Sequence, residues 1–211
     1  CVEKEPGPTF EGITVSRSVP KLGYKGIETV EMSYIGHRVP HSAVLGGDEG
    51  IGQGQRYALS ALELGRINIA ARSVGVGQAA LDRALAYSHE RETFGKPIVE
   101  HQAIAFKLAE MATKLQAARL LTYDAARRFE AGERIDMEAG MAKLFASEAA
   151  FEIATDALRI HGGNGYTQEY DVARYFRDTP LMIIGEGTSE IQKMIISRQL
   201  RARYAAAHPD R

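Results

Sequence analysis

The chain has 211 residues, of which 45% are hydrophobic and 25% are charged, as is typical of a soluble globular protein with one or two domains. Its net charge of −1 argues against bulk electrostatic binding to DNA or to an anionic membrane, and no apolar run reaches the roughly 18 residues of a membrane span. The single cysteine, Cys1, excludes an internal disulfide, disfavours a cysteine-based metal site and is compatible with a reducing, intracellular compartment.

Residues 1–52 are rich in glycine and proline and predict short strands over 13–16, 29–35 and 37–39. So few strands cannot bury a core of their own. The chain also begins with Cys-Val-Glu-Lys rather than Met. We therefore expect a piece of a longer protein in which 1–52 is the remnant of a β domain, the alternative being a processed mature terminus.

Residues 53–204 follow a glycine-rich hinge and predict a helical domain, with 205–211 as a tail. Apolar residues recur at helical spacing over 53–90, 99–130 and 136–160, and a short helix over 172–177 precedes Pro180. A last helix begins near Thr188, with Ser189 and Gln192 as a capping box. The short connections favour an antiparallel four-helix bundle, so the predicted fold is mainly α.

The first helix contains the sequence Glu63-Leu64-Gly65-Arg66. An arginine on an otherwise apolar helix face needs a partner or solvent, and Glu186 is a candidate partner. The alternative is an arginine at the rim of the bundle.

The loop between the first two long helices has a cationic and aromatic character. Arg91 and Lys96 bracket Phe94, and His101-Gln102 follow. Such a loop could clamp an anionic cofactor, and the alternative is a solvated connection between helices.

A glycine cluster, residues 161–166 (His-Gly-Gly-Asn-Gly-Tyr), ends the third helix. It permits backbone contact with a phosphate or with a neighbouring subunit, and the alternative is a simple glycine C-cap. It does not follow a strand, so it is not a dinucleotide-binding fingerprint. The histidines do not fall at metal-ligand spacings, and no motif supports a metal site.

One carboxylate, Glu186, lies between Gly185 and Gly187, just before the last helix. Flanking glycines let the backbone approach a ligand closely, and the apolar residues 181–184 predict a dry pocket beside it. Such a carboxylate could act as a general base. The alternative is a surface turn with an incidental glutamate.

Taken together and in order, these segments resemble the acyl-CoA dehydrogenases, and the resemblance extends to about Arg203. The matching segments are 22–26, 37–40, 64–66, 91–98, 100–102, 162–166, 177–178 and 185–192. The resemblance implies the end of a middle β domain followed by a complete C-terminal bundle. It also implies FAD-dependent α,β-dehydrogenation of acyl-CoA by a homodimer or homotetramer that passes electrons to an electron-transferring flavoprotein, in the bacterial cytoplasm or the mitochondrial matrix.

The resemblance assigns roles to individual residues. Glu186 becomes the base that removes the α-proton while the β-hydrogen leaves as hydride to the flavin. Some branches carry the base at the position of Gly65, so that here the role stays with Glu186. The implied substrate contacts are Glu63, Arg66 and Gly187. The implied cofactor contacts are Arg91, Phe94, Gln102, Arg159, Ile160, His161, Gly162, Gly163, Thr188, Ser189 and Glu190.

Two alternatives to this assignment remain open: an acyl-CoA or nitroalkane oxidase on the same scaffold, and a non-catalytic helical fragment that only oligomerises. The strands that hold the flavin ring in this family lie upstream of Cys1. We therefore expect these 211 residues alone to bind FAD weakly and to be inactive on acyl-CoA.

Overall fold

The computed structural model describes residues 7–209. The chain divides into two compact units, Cys1–Ala61 and Leu62–Arg211. The described residues are mostly helical, and the prediction of a mainly α fold with a few preceding strands is confirmed. No helix among them is both long enough and apolar enough to cross a membrane.

The first unit contains a small antiparallel sheet. Its strands are β1 (Thr9–Phe10), β2 (Ile13–Val15) and β3 (Met32–Tyr34), with β2 in the centre. Within residues 7–61, Ile13 is the only apolar side chain that is buried. The described part of this unit therefore lacks a core of its own.

The predicted strand over 37–39 is wrong. The ring of His37 bonds through Nδ1 to the carbonyl of Glu11, at 2.6 Å, as the chain leaves the sheet, and Pro40 follows without an amide hydrogen. This segment pairs with no strand among the described residues. Strand β1 was not predicted, because two residues are too few to show an alternating pattern.

Five helices follow. They are α1 (Gly54–Glu90), α2 (Gln102–Glu130), α3 (Asp136–His161), α4 (Val172–Ile184) and α5 (Ser189–Ala207). The ends of α1 and α3 lie within one residue of the predicted bounds, and α2 begins three residues later than predicted.

The packing of α1, α2, α3 and α5 is antiparallel. One buried cluster joins Leu81 of α1 to Leu108 of α2 and Ile160 of α3. A second cluster joins Ile67 to Ala125, so that α1 and α2 run in opposite directions. Helix α3 also packs against α4 and α5. Helix α3 is therefore packed on several sides by other helices, and this close packing explains why its inward face consists mostly of alanines.

Helix α4 continues past Pro180, whereas the sequence predicted an end at residue 177. A proline lacks the amide hydrogen that would bond to the carbonyl four residues earlier. Here the hydroxyl of Thr179 donates to that carbonyl, on Phe176, at 3.2 Å. The side chain thus replaces the missing backbone donor.

The loop predicted over 91–97 is a β-hairpin. Strands β4 (Glu92–Thr93) and β5 (Lys96–Pro97) pair on either side of Phe94 and Gly95, which both have positive φ angles, 53° and 79°. This backbone twist suits a two-residue hairpin turn. The hairpin projects Phe94 into solvent, with 97% of its surface exposed.

Candidate functional site

Glu186 lies in the short connection between α4 and α5. Its side chain is half-buried, and its φ of 55° places the backbone in the left-handed region. A non-glycine residue in that region is strained unless its surroundings hold it there.

The carboxylate of Glu186 packs directly on the backbone of α1 at Gly65. A Cβ atom added to Gly65 would lie 2.5 Å from Oε2 and 2.7 Å from Cδ of Glu186. Since such distances are far inside van der Waals contact, only glycine leaves room for the carboxylate in this position. The glutamate side chain therefore packs against α1 and does not belong to an isolated surface turn.

Three side-chain hydrogen bonds hold the connection around Glu186. Gln192 donates through Nε2 to the carbonyls of Glu186 and Gly187, at 3.0 and 2.9 Å. Lys143 of α3 donates to the carbonyl of Ile183, at 2.8 Å.

The predicted capping box at Ser189 and Gln192 is wrong. Thr188 is the N-cap of α5, and its hydroxyl accepts from the amide of Ile191 at 3.5 Å. The hydroxyl of Ser189 instead donates to Glu148, at 2.6 Å, and Gln192 turns back to the Glu186 connection. Both side chains therefore bond to groups outside α5 and do not cap the helix.

Arg66 does not pair with Glu186, so that prediction is also wrong. The side chain is buried, with 7% of its surface exposed, and no ion pair between these two residues occurs within 4.0 Å. Its Nε atom is buried without a hydrogen-bond partner in the described part of the chain. Buried donors are normally satisfied, and an unpaired one suggests that a ligand supplies the acceptor.

Glu63 belongs to a polar network that links helices of the bundle. Burial raises the pKa of Glu63, and a hydrogen bond with Asp136 raises it further. Burial also acts to raise the pKa of Asp136, but hydrogen bonds from Arg134 and Glu63 outweigh it, so the net shift is downward. Asp136 also accepts from Gln199 of α5, at 3.2 Å. The network thus joins α1 to the start of α3 through the hydrogen bond between Glu63 and Asp136.

A groove of about 470 Å³ brings together five of the predicted cofactor residues. These are Arg91, Ile160, His161, Gly162 and Gly163. Tyr87, Thr93, His101 and Asn164 also line the groove. The hairpin and the end of α3 therefore form one concave surface, although they are far apart in sequence.

His161 forms the buried wall of this groove. Its ring stacks on Tyr87 with the centroids 4.2 Å apart, and its Nδ1 bonds to the carbonyl of Ala157 at 2.8 Å. Burial lowers the pKa of the imidazole below its ordinary value, because the cation is poorly solvated there. The ring is therefore neutral near pH 7, with the proton on Nδ1 and an acceptor at Nε2.

Gly162 follows with φ 59° and ψ −135°, a conformation that side-chain-bearing residues rarely adopt. A Cβ at Gly162 or at Gly163 would meet open space. The backbone here is therefore accessible to a ligand.

The other predicted cofactor residues lie at the surface or beside Glu186. Phe94 and Gln102 are exposed, at the tip of the hairpin and at the start of α2. Arg159 pairs with Asp156 at 3.5 Å. Glu190 is exposed, and its pKa is lowered by a hydrogen bond from its own backbone amide and by one from Thr188. The predicted residues thus form two groups, one around Glu186 and one around the groove.

The family of this chain is identified by a match to a family model. The model described as the acyl-CoA dehydrogenase C-terminal domain matches residues 52–201. The chain is a member of the acyl-CoA dehydrogenase family. The members of this family are FAD-dependent oxidoreductases.

Individual relatives agree with the family model. A probable acyl-CoA dehydrogenase of Bacillus subtilis is 47% identical over 90% of the chain and 49% of the relative. The caffeyl-CoA reductase–Etf complex subunit of Acetobacterium woodii is 43% identical over 90% of the chain and 49% of the relative. The structure of butyryl-CoA dehydrogenase from Megasphaera elsdenii superposes with a TM-score of 0.85 at 40% identity, covering 90% of this chain and 49% of that one. The chain therefore spans about half the length of these relatives.

Proposed function

We propose that this chain is part of an FAD-dependent acyl-CoA dehydrogenase in which Glu186 removes the α-proton of an acyl-CoA thioester. The observation that carries the proposal is the contact of the Glu186 carboxylate with the bare backbone of α1 at Gly65. A carboxylate that is half-buried between helices and held at a fixed backbone position has the properties of a general base.

The backbone at Glu186 offers a second catalytic group. The amide of Glu186 has no hydrogen-bond partner in the described part of the chain. Its N–H can therefore donate to the thioester carbonyl of the substrate and stabilise the negative charge that develops on that oxygen when the α-proton leaves. Gly187, the unpaired Nε of Arg66 and Glu63 are the further candidates for substrate contacts, and the Glu63 carboxyl group is also hydrogen-bonded to Asp136.

The groove beside His161 fits a phosphate-bearing cofactor. Arg91 contributes a cation and Gly162 and Gly163 an open backbone, which suit a phosphate, whereas the acceptor nitrogen of a neutral His161 suits a hydroxyl or amino group of the nucleoside. These groups would hold the nucleotide portion of FAD, together with Ile160 and Arg159. Thr188 and Glu190 would meet the cofactor near the base, whereas Ser189 could do so only through its backbone, because its side chain is buried and bonded to Glu148. Bound here, FAD would supply the acceptor for the β-hydrogen, which leaves the substrate as hydride.

The hairpin supports an oligomer. Phe94 is almost wholly exposed, and Gln102 is exposed too, so both are free to contact a neighbouring molecule. We propose that Arg91, Phe94 and Gln102 contact the cofactor of a second subunit in a homodimer or homotetramer, and that an electron-transferring flavoprotein accepts the electrons.

Replacement of the base tests the proposed function. In the full-length, FAD-loaded protein, Glu186→Gln should lower turnover with butyryl- or octanoyl-CoA and a dye acceptor by about 10²- to 10⁴-fold, because the amide cannot accept a proton. The flavin absorbance should remain. Glu110→Gln, at an exposed position of α2, is the matched control and should leave turnover unchanged.

Three outcomes would contradict the proposal. Retained turnover in Glu186→Gln would reject Glu186 as the base. Stoichiometric peroxide formation with O₂ as acceptor would instead indicate an acyl-CoA oxidase on the same scaffold. No turnover by the unaltered full-length protein would favour a non-catalytic bundle.

A further inference from the structure

Two buried side chains from different helices hold the connection that carries Glu186. Lys143 of α3 bonds before the base, and Gln192 of α5 bonds at the base and after it. We infer that Lys143 and Gln192 are positioning residues, which fix the Glu186 carboxylate against Gly65 in the geometry that proton abstraction requires. This inference rests on the proposed function of Glu186.

Lys143 is an unusual residue to find at the centre of a bundle. Its side chain has no exposed surface, and burial lowers its pKa, while the charges of Glu148, Glu190 and Glu186 favour its protonated form. Burying an ammonium group is costly unless specific contacts compensate for it. We therefore expect specific contacts that compensate for the burial of this lysine.

The main such contact is the hydrogen bond of Lys143 to the end of α4. Its acceptor is the carbonyl of Ile183, in the last turn of α4, where backbone carbonyls lack partners within the helix. A cation at this end of a helix is also favoured by the helix dipole. Lys143 therefore fixes the end of α4, and with it the starting point of the connection that leads to Glu186.

Gln192 fixes the connection from the other side. Its amide nitrogen donates to two successive carbonyls, while its Oε1 atom is buried without a partner in the described part of the chain. An unpaired buried acceptor destabilises the fold. The cost of the unpaired Oε1 atom indicates that stability alone does not favour glutamine at position 192. The two hydrogen bonds that Gln192 donates to the connection account for its presence there.

The backbone of Glu186 needs such support. With φ at 55°, it occupies a left-handed conformation that persists only where the surrounding structure imposes it. Loss of a bond at Ile183, Glu186 or Gly187 allows the backbone to relax, and the carboxylate then moves away from Gly65. Since neither Lys143 nor Gln192 lines the groove at His161, the nucleotide contacts proposed there should change little, and the main effect should fall on the step in which Glu186 removes the proton.

The test uses Lys143→Met and Gln192→Met in the full-length, FAD-loaded protein. Each variant should lower kcat by about tenfold or more, since small misplacements of a catalytic group have effects of this size. KM should rise by a smaller factor than kcat falls, and the FAD content should stay close to that of the unaltered protein. The matched control is Lys107→Met, because Lys107 also joins two helices, through Asp156 at 2.6 Å, but makes no contact with the connection. Its kcat should stay within about twofold of the unaltered protein.

A kinetic isotope effect separates positioning from a general loss of structure. With an α-deuterated substrate, both variants should show a larger isotope effect on kcat than the unaltered protein, because proton removal becomes more strongly rate-limiting. Partial unfolding would lower the number of active sites and leave the isotope effect unchanged. If Lys143→Met does not fold, Gln192→Met provides the same measurement.

The outcomes distinguish this inference from the proposed function. If Glu186→Gln is inactive but Lys143→Met and Gln192→Met match Lys107→Met in kcat and in the isotope effect, only the positioning role is overturned. If Glu186→Gln retains turnover, the proposed function fails and the positioning role fails with it.

Discussion

At the scale of single residues, the contact between Gly65 and Glu186 determines what α1 can tolerate. A side chain at position 65 would occupy the space of the carboxylate, whereas a Cβ at Gly75 of the same helix would meet no atom within 4 Å. The two glycines therefore form a matched pair for mutation.

We predict that Gly65→Ala lowers kcat of the full-length protein by about ten- to a hundredfold, because the carboxylate must move. Stability should not fall in parallel, since the glutamate side chain is flexible and alanine favours a helix over glycine by about 1 kcal/mol. Gly75→Ala should raise stability by up to about the same amount and leave kcat unchanged. Steady-state kinetics and urea unfolding measure both effects, and normal kcat in Gly65→Ala would contradict the assigned geometry.

The sequence indicated Glu186 and its glycine neighbours, but not the residues that support them. The Arg66–Glu186 pair was wrong because the sequence does not show which of several charges a long side chain will approach. Lys143 left a detectable signal, a lysine on the inward, alanine-rich face of α3. Gln192 left none, because a glutamine three residues after a serine suits a capping box equally well.

At the scale of elements, α4 shows how a helix continues through a proline. The hydroxyl of Thr179 is bonded to the carbonyl that Pro180 leaves without an amide partner, and Thr179 is fully buried. The threonine and the proline should therefore be energetically coupled.

We predict that Thr179→Val lowers the free energy of unfolding by about 1–3 kcal/mol, because it leaves the carbonyl of Phe176 without a donor. In a Pro180→Ala background the same change should cost less, since an alanine has the backbone N–H that the proline lacks. Denaturant unfolding of the four proteins in this double-mutant cycle measures the coupling. Strictly additive effects would show that the hydroxyl does not replace the backbone bond.

The predictability of the other elements follows from their length. The long helices were predicted nearly to the residue, because many turns of apolar periodicity reinforce one another. The β4–β5 hairpin was read as a loop, since strands of two residues have no pattern, and α4 was cut short because proline usually ends a helix. Both errors fall where local interactions override a general tendency.

At the scale of the whole molecule, the two units differ in completeness. The bundle buries several clusters of apolar side chains, whereas the described part of the first unit buries only Ile13 and leaves large apolar side chains in solvent. Examples are Leu22 (63% exposed), Ile27 (61%) and Ile35 (79%). The exposure of these side chains contrasts with the buried apolar clusters of the bundle.

We predict that the 211 residues alone bind FAD much more weakly than the full-length protein does. The groove at His161 offers contacts for the nucleotide part, whereas the family resemblance leads us to expect that the strands that hold the flavin ring lie upstream of Cys1. Fluorescence titration with FAD, compared between the two proteins, measures the difference. A stoichiometrically yellow preparation of the 211-residue chain would show that the bundle is sufficient.

The origin of the contacts around Glu186 also bears on the order in which the protein matures. Gly65, Lys143 and Gln192 come from the beginning, the middle and the end of the helical region, and Gln192 follows Glu186 in the chain. A growing polypeptide therefore cannot fix its carboxylate until the last helix has left the ribosome and docked. Contacts between such distant segments form late, because closing long loops is entropically unfavourable. Glu186, the proposed base, is thus expected to reach its native position only in the final stage of folding.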